Sequence, residues 1–253
     1  MKLLDYKPEK NILDDRIILV TGAGQGIGRA VSIALAQFGA TLVLLDKSLT
    51  DIEAVYDEIE NNGSPTPALF PLNLESATEN DFQMLHDTLQ QEFGKLDGLL
   101  HNAAELPYLA RIDDYELSDW NSVMQVNINA AFLISRACLP LLRQSKDASI
   151  VFNSDTAGRK GKAYWGAYGV SKFALEGLMQ TLAEETEDNS PIRVNSLDPG
   201  AVRTKLRAQI FPGENPENLP VAEDIARAWV YLLGPDSKKL SGQAFSMVDE
   251  LPN

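Results

Sequence analysis

Short uninterrupted apolar runs alternate with amphipathic stretches along almost the whole chain, and this alternation leaves few architectures open. The apolar runs are 16–20 (RIILV), 41–45 (TLVLL), 68–72, 96–101, 149–153 (SIVFN), 192–197 and a last strand-like run at 243–248. Between them, 27–38, 51–61, 81–93, 119–142, 168–187 and 223–233 carry apolar residues at helical spacing. The long 119–142 stretch is expected to be interrupted near Pro140. A strand apolar at every position has no solvated face, so the pattern predicts a sheet covered by helices on both sides. The expected fold class is α/β: one doubly wound domain over 1–253, with a mostly parallel sheet of about seven strands. No composition shift, internal repeat or low-complexity tract marks a boundary. The longest irregular stretch, 205–220, is rich in Pro, Gly and Asn and reads as a substrate loop.

Composition narrows the function classes. The chain has 36 Asp+Glu against 22 Lys+Arg, a net charge of −14, which argues against a nucleic-acid partner. Cys138 is alone and the two histidines, His86 and His101, lie far apart, so no metal site is expected. The N-terminus is polar and mixed in charge, and no stretch approaches the roughly eighteen consecutive apolar residues of a membrane span. A cytoplasmic protein without a membrane partner is expected.

Residues 21–28 read TGAGQGIG, directly after the first strand and at the start of the first helix. Gly22 suits a tight turn, Gly26 lets backbone approach a pyrophosphate, and Gly28 allows close helix–strand packing. The helix N-terminus then offers free N–H groups to phosphates. Thr21, Gly22, Gln25, Gly26, Ile27 and Gly28 are the candidate phosphate-loop residues of a Rossmann-type dinucleotide site. Asp46 ends the second strand, 18 positions after Gly28 (46 − 28). A carboxylate there accepts from both adenosine ribose hydroxyls and repels a 2′-phosphate, which favours NAD(H). Lys47 beside it keeps NADP(H) open, while Gln25 is neutral. The plainer reading of Asp46 is a helix cap or turn residue.

Tyr168 and Lys172 form Y-G-V-S-K, and a four-residue spacing puts both on one helix face. An ammonium near a phenol favours the phenolate, so the pair suits proton exchange with an alcohol or carbonyl oxygen. Tyr164 has Tyr168 rather than a lysine four positions on.

TGAGQGIG, HNAA at 101–104, VNINA at 126–130, YGVSK at 168–172 and PGAVRT at 199–204 occur here in the order seen in the short-chain dehydrogenase/reductases. The chain resembles that family over nearly its whole length. Its N-terminal YKPEKNILDDRIILVTG, its WGAYGVSKFA run and its FPGENPENL loop look like the YciK-like bacterial branch. The resemblance implies an oxidoreductase with a nicotinamide cofactor and a small carbonyl or alcohol substrate. It implies Tyr168 as acid/base, Lys172 on the nicotinamide ribose, and Asn127 holding a water that relays protons to Lys172. Asn73 and Leu74 would stand at the adenine, Asn102, Ala103 and Ala104 along the cofactor, and Pro199, Gly200, Val202 and Thr204 at the carboxamide. The helices at 119–142 and 168–187 would pair with those of a partner subunit in a homodimer or homotetramer.

Two positions depart from the family pattern. Ala104 replaces a glycine, a small change. The family's catalytic serine lies 13 positions before the tyrosine, and 168 − 13 is 155, which is Asp155. Serine donates a hydrogen bond to the reacting oxygen, and losing such a donor typically costs about 10²–10³ in rate. An ionised aspartate only accepts. Three readings stand. Asp155 is protonated by burial and donates; or it accepts from a second hydroxyl or an amine of the substrate; or the chain is a redox-impaired dinucleotide-binding sensor or scaffold. A bulged strand end would instead let Ser154 or Thr156 take the serine's place. Trp165 reads equally as pocket wall or core.

Overall fold

The first apolar run becomes β1 (Ile17–Thr21), buried at four of its five positions because helices cover both its faces. The structure, a computed structural model, describes residues 2–187 and 190–250. Six further strands join β1: β2 (Thr41–Asp46), β3 (Ala68–Pro71), β4 (Gly98–His101), β5 (Ala148–Asn153), β6 (Ile192–Asp198) and β7 (Ala244–Ser246). Their order is β3-β2-β1-β4-β5-β6-β7, and every neighbouring pair is parallel. The order turns back at β1, so a crevice opens beyond the C-terminal ends of β1 and β4, where ligands bind in folds of this kind.

Two apolar cores sandwich the sheet. On one face, α1 (Gly26–Gln37) and α2 (Leu49–Asn61) pack on β1 and β2 and α9 (Arg227–Leu233) on β5, with Val31, Leu35, Ile52 and Trp229 in the shared core. On the other, α3 (Glu79–Glu92), α5 (Ala130–Leu142) and α6 (Gly166–Thr186) contribute Phe82, Leu85, Ile134, Leu141, Leu175 and Met179. The remaining helices are α4 (Leu117–Met124), α7 (Lys205–Ile210) and α8 (Ala222–Ile225).

Helix starts follow their caps. The Ser48 hydroxyl accepts from the Asp51 amide, so α2 begins at Leu49, two residues before the expected 51. Thr78 and Asp81 form a capping box that starts α3 at Glu79. The expected single helix at 119–142 is two helices, α4 and α5, joined by a π-turn at Gln125–Asn129. The interruption thus falls at Asn127 rather than at Pro140, which sits within the last turn of α5. Likewise 223–233 is divided into α8 and α9 at Ala226. The run Leu117–Leu142 is long and apolar enough to cross a membrane by length and composition. Here its apolar side chains, Ile134, Cys138 and Leu141 among them, form part of the core.

Candidate active site

The glycine-rich turn is shaped by close approach. Gly22 has φ +65°, and a methyl on Gly28 would lie 1.9 Å from the Gly22 carbonyl oxygen. Thr21 and Asn102 tie this turn to the loop after β4. Thr21 Oγ1 accepts from the amides of Asn102 and Ala103 at 3.0 and 3.1 Å. Asn102 Nδ2 donates to the carbonyls of Thr21 and Gly22, both at 3.0 Å. The first turn of α1 carries no side-chain cap, and its Gly26 and Ile27 line the crevice.

A cleft of about 350 Å³ runs from this turn to α7. Gly22, Gln25, Gly26, Ile27, Asp46 and Lys47 line one end, and Asn102, Ala103 and Ala104 line its flank. Ser154, Asp155, Tyr168 and Lys172 form the floor, with Pro199, Gly200, Val202 and Thr204 opposite. Asn73 and Leu74 line an adjoining cavity of about 150 Å³, which shares Gly22, Asp46, Lys47, Ala103 and Ala104 with the first. Three of the expected site residues stand outside the lining: Thr21, Gly28 and Asn127. The first two shape the turn.

Asn127 pins the flank from behind. Its Oδ1 accepts from the Glu105 amide at 2.7 Å, while its Nδ2 donates to Glu105 O and Ser171 Oγ, both at 3.0 Å. Both amide protons are thus committed to protein partners. The π-turn around Asn127 is what lets its side chain reach a loop 22 residues back.

Asp46 plays the plainer part foreseen for it as well as facing the cleft. Its Oδ2 accepts from the Gly24 amide at 3.0 Å and its Oδ1 from the Ser48 amide at 3.1 Å. Lys47 is exposed beside it.

Tyr168 sits two residues into α6, 7 % exposed. Burial, then Asp155 and Asp198, push its phenol well above the ordinary value. This is opposite to the lowering expected from Lys172. Lys172 is buried beside it, with Nζ 5.4 Å from the Tyr168 ring centre and donating to Asn153 O at 2.7 Å. Burial pushes the Lys172 ammonium down to about 8, against the opposing pull of Asp155, Asp198 and Glu176.

Asp155 points at the tyrosine. Its Oδ1 accepts from the Ala157 amide at 2.6 Å, and its Oδ2 lies 3.5 Å from Tyr168 Oη. The strand end does not bulge to bring Thr156 inward, since Thr156 Oγ1 donates to Asp198 Oδ2 at 2.9 Å. Ser154 lines the cleft, and its Oγ is buried without a hydrogen-bond partner.

The 205–220 stretch is more ordered than its composition foretold. It holds α7 and a 3-10 turn at Pro216–Asn218, locked by a two-pronged pair between Arg207 and Glu214 at 2.6 and 2.8 Å. Leu206, Arg207, Ile210 and Phe211 from it close one end of the cleft, facing Trp165. Trp165 is thus pocket wall, its ring centre 5.7 Å from that of Tyr168.

Residues not foreseen are Asn153, whose carbonyl holds Lys172, and Asp198, which acts on both Tyr168 and Thr156. Each ends a strand, β5 or β6, and strand C-terminal ends are where ligand-facing groups gather in such sheets. His101, in contrast, is buried away from the lining, bonded to Ser135 and stacked on Phe152, and burial pushes it down to about 3. Among the described residues no group of three metal-ligating side chains occurs.

Known proteins resemble this chain over most of its length. The family model for short chain dehydrogenases matches residues 16–215. An uncharacterized oxidoreductase of Escherichia coli K12, YciK, is 41% identical over 242 residues, 96% of this chain and 95% of the relative. A short chain dehydrogenase from Pseudomonas syringae is 49% identical with a TM-score of 0.94, covering 96% of this chain and 98% of that one. Another, from Escherichia coli CFT073 and complexed with NADPH, is 42% identical with a TM-score of 0.91, covering 95% and 99%.

Proposed function

The chain belongs to the short chain dehydrogenase family, as an oxidoreductase that uses a nicotinamide cofactor, and on that premise we propose that it interconverts a carbonyl and an alcohol with Tyr168 as acid/base. The observation that carries this reading is the placement of Tyr168 and Lys172 on the floor of a cleft whose other end is a glycine cradle. The cradle fits a dinucleotide, since side chains at Gly22 or Gly28 would fill or break it. The nicotinamide supplies or takes up the hydride.

The protein's own groups bind, orient and move protons. The amides of the uncapped first turn of α1, Gly26 to Gly28, would face the pyrophosphate. Asn73 and Leu74, which line the smaller cavity, would flank the adenine, and Pro199, Gly200, Val202 and Thr204, which line the larger one, would hold the carboxamide end. Tyr168 Oη gives its proton to the carbonyl oxygen in reduction and takes it back in oxidation. Lys172 Nζ, anchored on Asn153 O, stands next in the proton path. Asn127 acts as a positioning residue through Glu105 and Ser171, with one Oδ1 lone pair left for a relay water.

For the cofactor we infer NADP(H), in place of the NAD(H) preference read from Asp46. Asp46 is engaged by two backbone amides, so its carboxylate is less available to a ribose. Lys47, at the mouth of both cavities, offers a cation to a 2′-phosphate. The relative from E. coli CFT073 was solved with NADPH. Lys47→Glu is expected to raise KM for NADPH by about tenfold or more, ~1.4 kcal/mol, and to leave NADH nearly unchanged. Tighter wild-type binding of NADH than NADPH would reverse the assignment.

A second reading, a redox-impaired dinucleotide-binding sensor or scaffold, is favoured by one observation: Asp155 stands at the serine position with its carboxylate toward Tyr168. A screen of carbonyls and alcohols with both cofactors separates the two. Turnover abolished by Tyr168→Phe supports the enzyme; cofactor binding without turnover of any substrate supports the sensor. A cytoplasmic location is part of the same proposal.

A further inference from the structure

Asp155 is an acceptor that the protein's own groups leave under-used. The Ala157 amide fixes the carboxylate through Oδ1 at 2.6 Å. Oδ2 faces Tyr168 Oη at 3.5 Å, the outer edge of hydrogen-bond distance. Two of the cations in the same cleft are committed elsewhere: Arg207 to both Glu214 oxygens, and Lys172 to Asn153 O. A carboxylate this close to the proton donor repels a developing oxyanion unless a ligand brings it a hydrogen. A cationic donor is disfavoured, because Lys47, Lys172, Lys205 and Arg207 all line the cleft. A hydroxyl is neutral and donates. Tyr168 Oη and Asp155 Oδ2 are spaced so that one ligand can meet both through oxygens on adjacent carbons.

We propose that the substrate is an α-hydroxy carbonyl compound, or the matching vicinal diol in oxidation. Its reacting oxygen lies on Tyr168 Oη and its neighbouring hydroxyl donates to Asp155 Oδ2. The inference rests on Tyr168 as acid/base. Reduction to the diol consumes one hydride from the reduced nicotinamide and one proton from Tyr168. The hydroxyl on Asp155 keeps its proton throughout. Leu106, Ile210, Phe211 and Trp165 give the carbon skeleton apolar walls.

The test compares 2-hydroxycyclohexanone with cyclohexanone, using NADPH and the wild-type, Asp155→Ser and Asp155→Asn proteins. Wild type is expected to favour the hydroxyketone by roughly ten- to hundredfold in kcat/KM, the worth of one hydrogen bond to a charged group. Asp155→Ser is expected to lose the preference. Asp155→Asn keeps the Ala157 bond through its carbonyl oxygen and turns an NH₂ toward the ligand, so it should lose the preference too. Calorimetric titration of 1,2-cyclohexanediol and cyclohexanol into the NADP-loaded proteins gives a readout without turnover. Only wild type should bind the diol more tightly than the alcohol. Equal use of both ketones by wild type, or an unchanged ratio in both variants, overturns the inference and leaves carbonyl reduction standing. Diol-selective binding lost in the variants, without turnover of any ketone, supports the acceptor and overturns the hydride-transfer reading. Neither selectivity nor turnover overturns both.

Discussion

In the proposed mechanism Tyr168 is the acid/base, and burial, Asp155 and Asp198 hold its phenol protonated. Tyr168→Phe removes one oxygen and is expected to cut kcat by about 10²–10⁴, with NADPH affinity little changed. The raised pKa has a direction in each half-reaction. Reduction needs the protonated phenol, so its rate should stay flat from neutral into alkaline pH. Oxidation needs the phenolate, so its rate should still be climbing there. Asp155→Ser removes one cause of the rise, and the oxidation profile should move to lower pH. A profile that does not move would mean that Asp155 leaves the phenol untouched. Lys172 makes a separate prediction about stability. Its folded pKa, about 8, lies below the ordinary 10.5. Between those values the unfolded chain binds more protons, so this residue makes stability rise with pH across that window, and below it the cost of the buried ammonium is constant. Lys172→Met should abolish turnover, yet flatten that rise when urea unfolding is followed from pH 7 to 10.

At the scale of elements, the π-turn at Gln125–Asn129 carries Asn127, which satisfies the Glu105 backbone. Asn127→Ala leaves the Glu105 amide and carbonyl without partners and should cost about 1–3 kcal/mol in chemical denaturation. A loss well below that range would show that the turn holds without its asparagine. This turn also marks where sequence reading stops. The βα alternation was legible because burial on both faces writes an uninterrupted apolar run into each strand, and the glycine turn because φ and close approach admit few other residues. Helix starts at Leu49 and Glu79 came from caps at Ser48 and Thr78, which lie outside the apolar pattern. Asn127 was legible as a site residue only through its motif, and its partner loop is 22 residues away in sequence. Asp155 could be counted to its position, but its aim at Tyr168 comes from the Ala157 amide, a backbone contact that no side-chain pattern records. The Arg207–Glu214 pair orders a segment whose composition reads as loop. Local composition says nothing of a bond that spans the whole stretch.

Among the described residues, α5 and α6 expose apolar side chains that the fold does not cover. Val170 and Phe173 on α6 are 42 and 45 % exposed, and Phe132 on α5 is 49 % exposed. Gly177, four residues beyond Phe173, has open space where a side chain would stand. Residues three and four apart share a helix face, so 170, 173 and 177 form a stripe with a shallow end. Such a stripe suits close approach by the same stripe of a second copy, an isologous contact about a twofold axis. We therefore propose a homodimer or homotetramer built on α5 and α6. Light scattering should give a multiple of 27.8 kDa for the wild type. Phe173→Glu, which sets two carboxylates against each other across the axis, should give the monomer mass; a monomeric wild type would sink the proposal. The same variant should lower kcat without touching the cleft. Tyr168 and Lys172 lie on the buried face of α6, and Phe173 on its exposed face. The partner would thus press on the back of the helix whose front aligns the proton donor. A monomer with unchanged kcat would show that the sheet alone holds that helix in place.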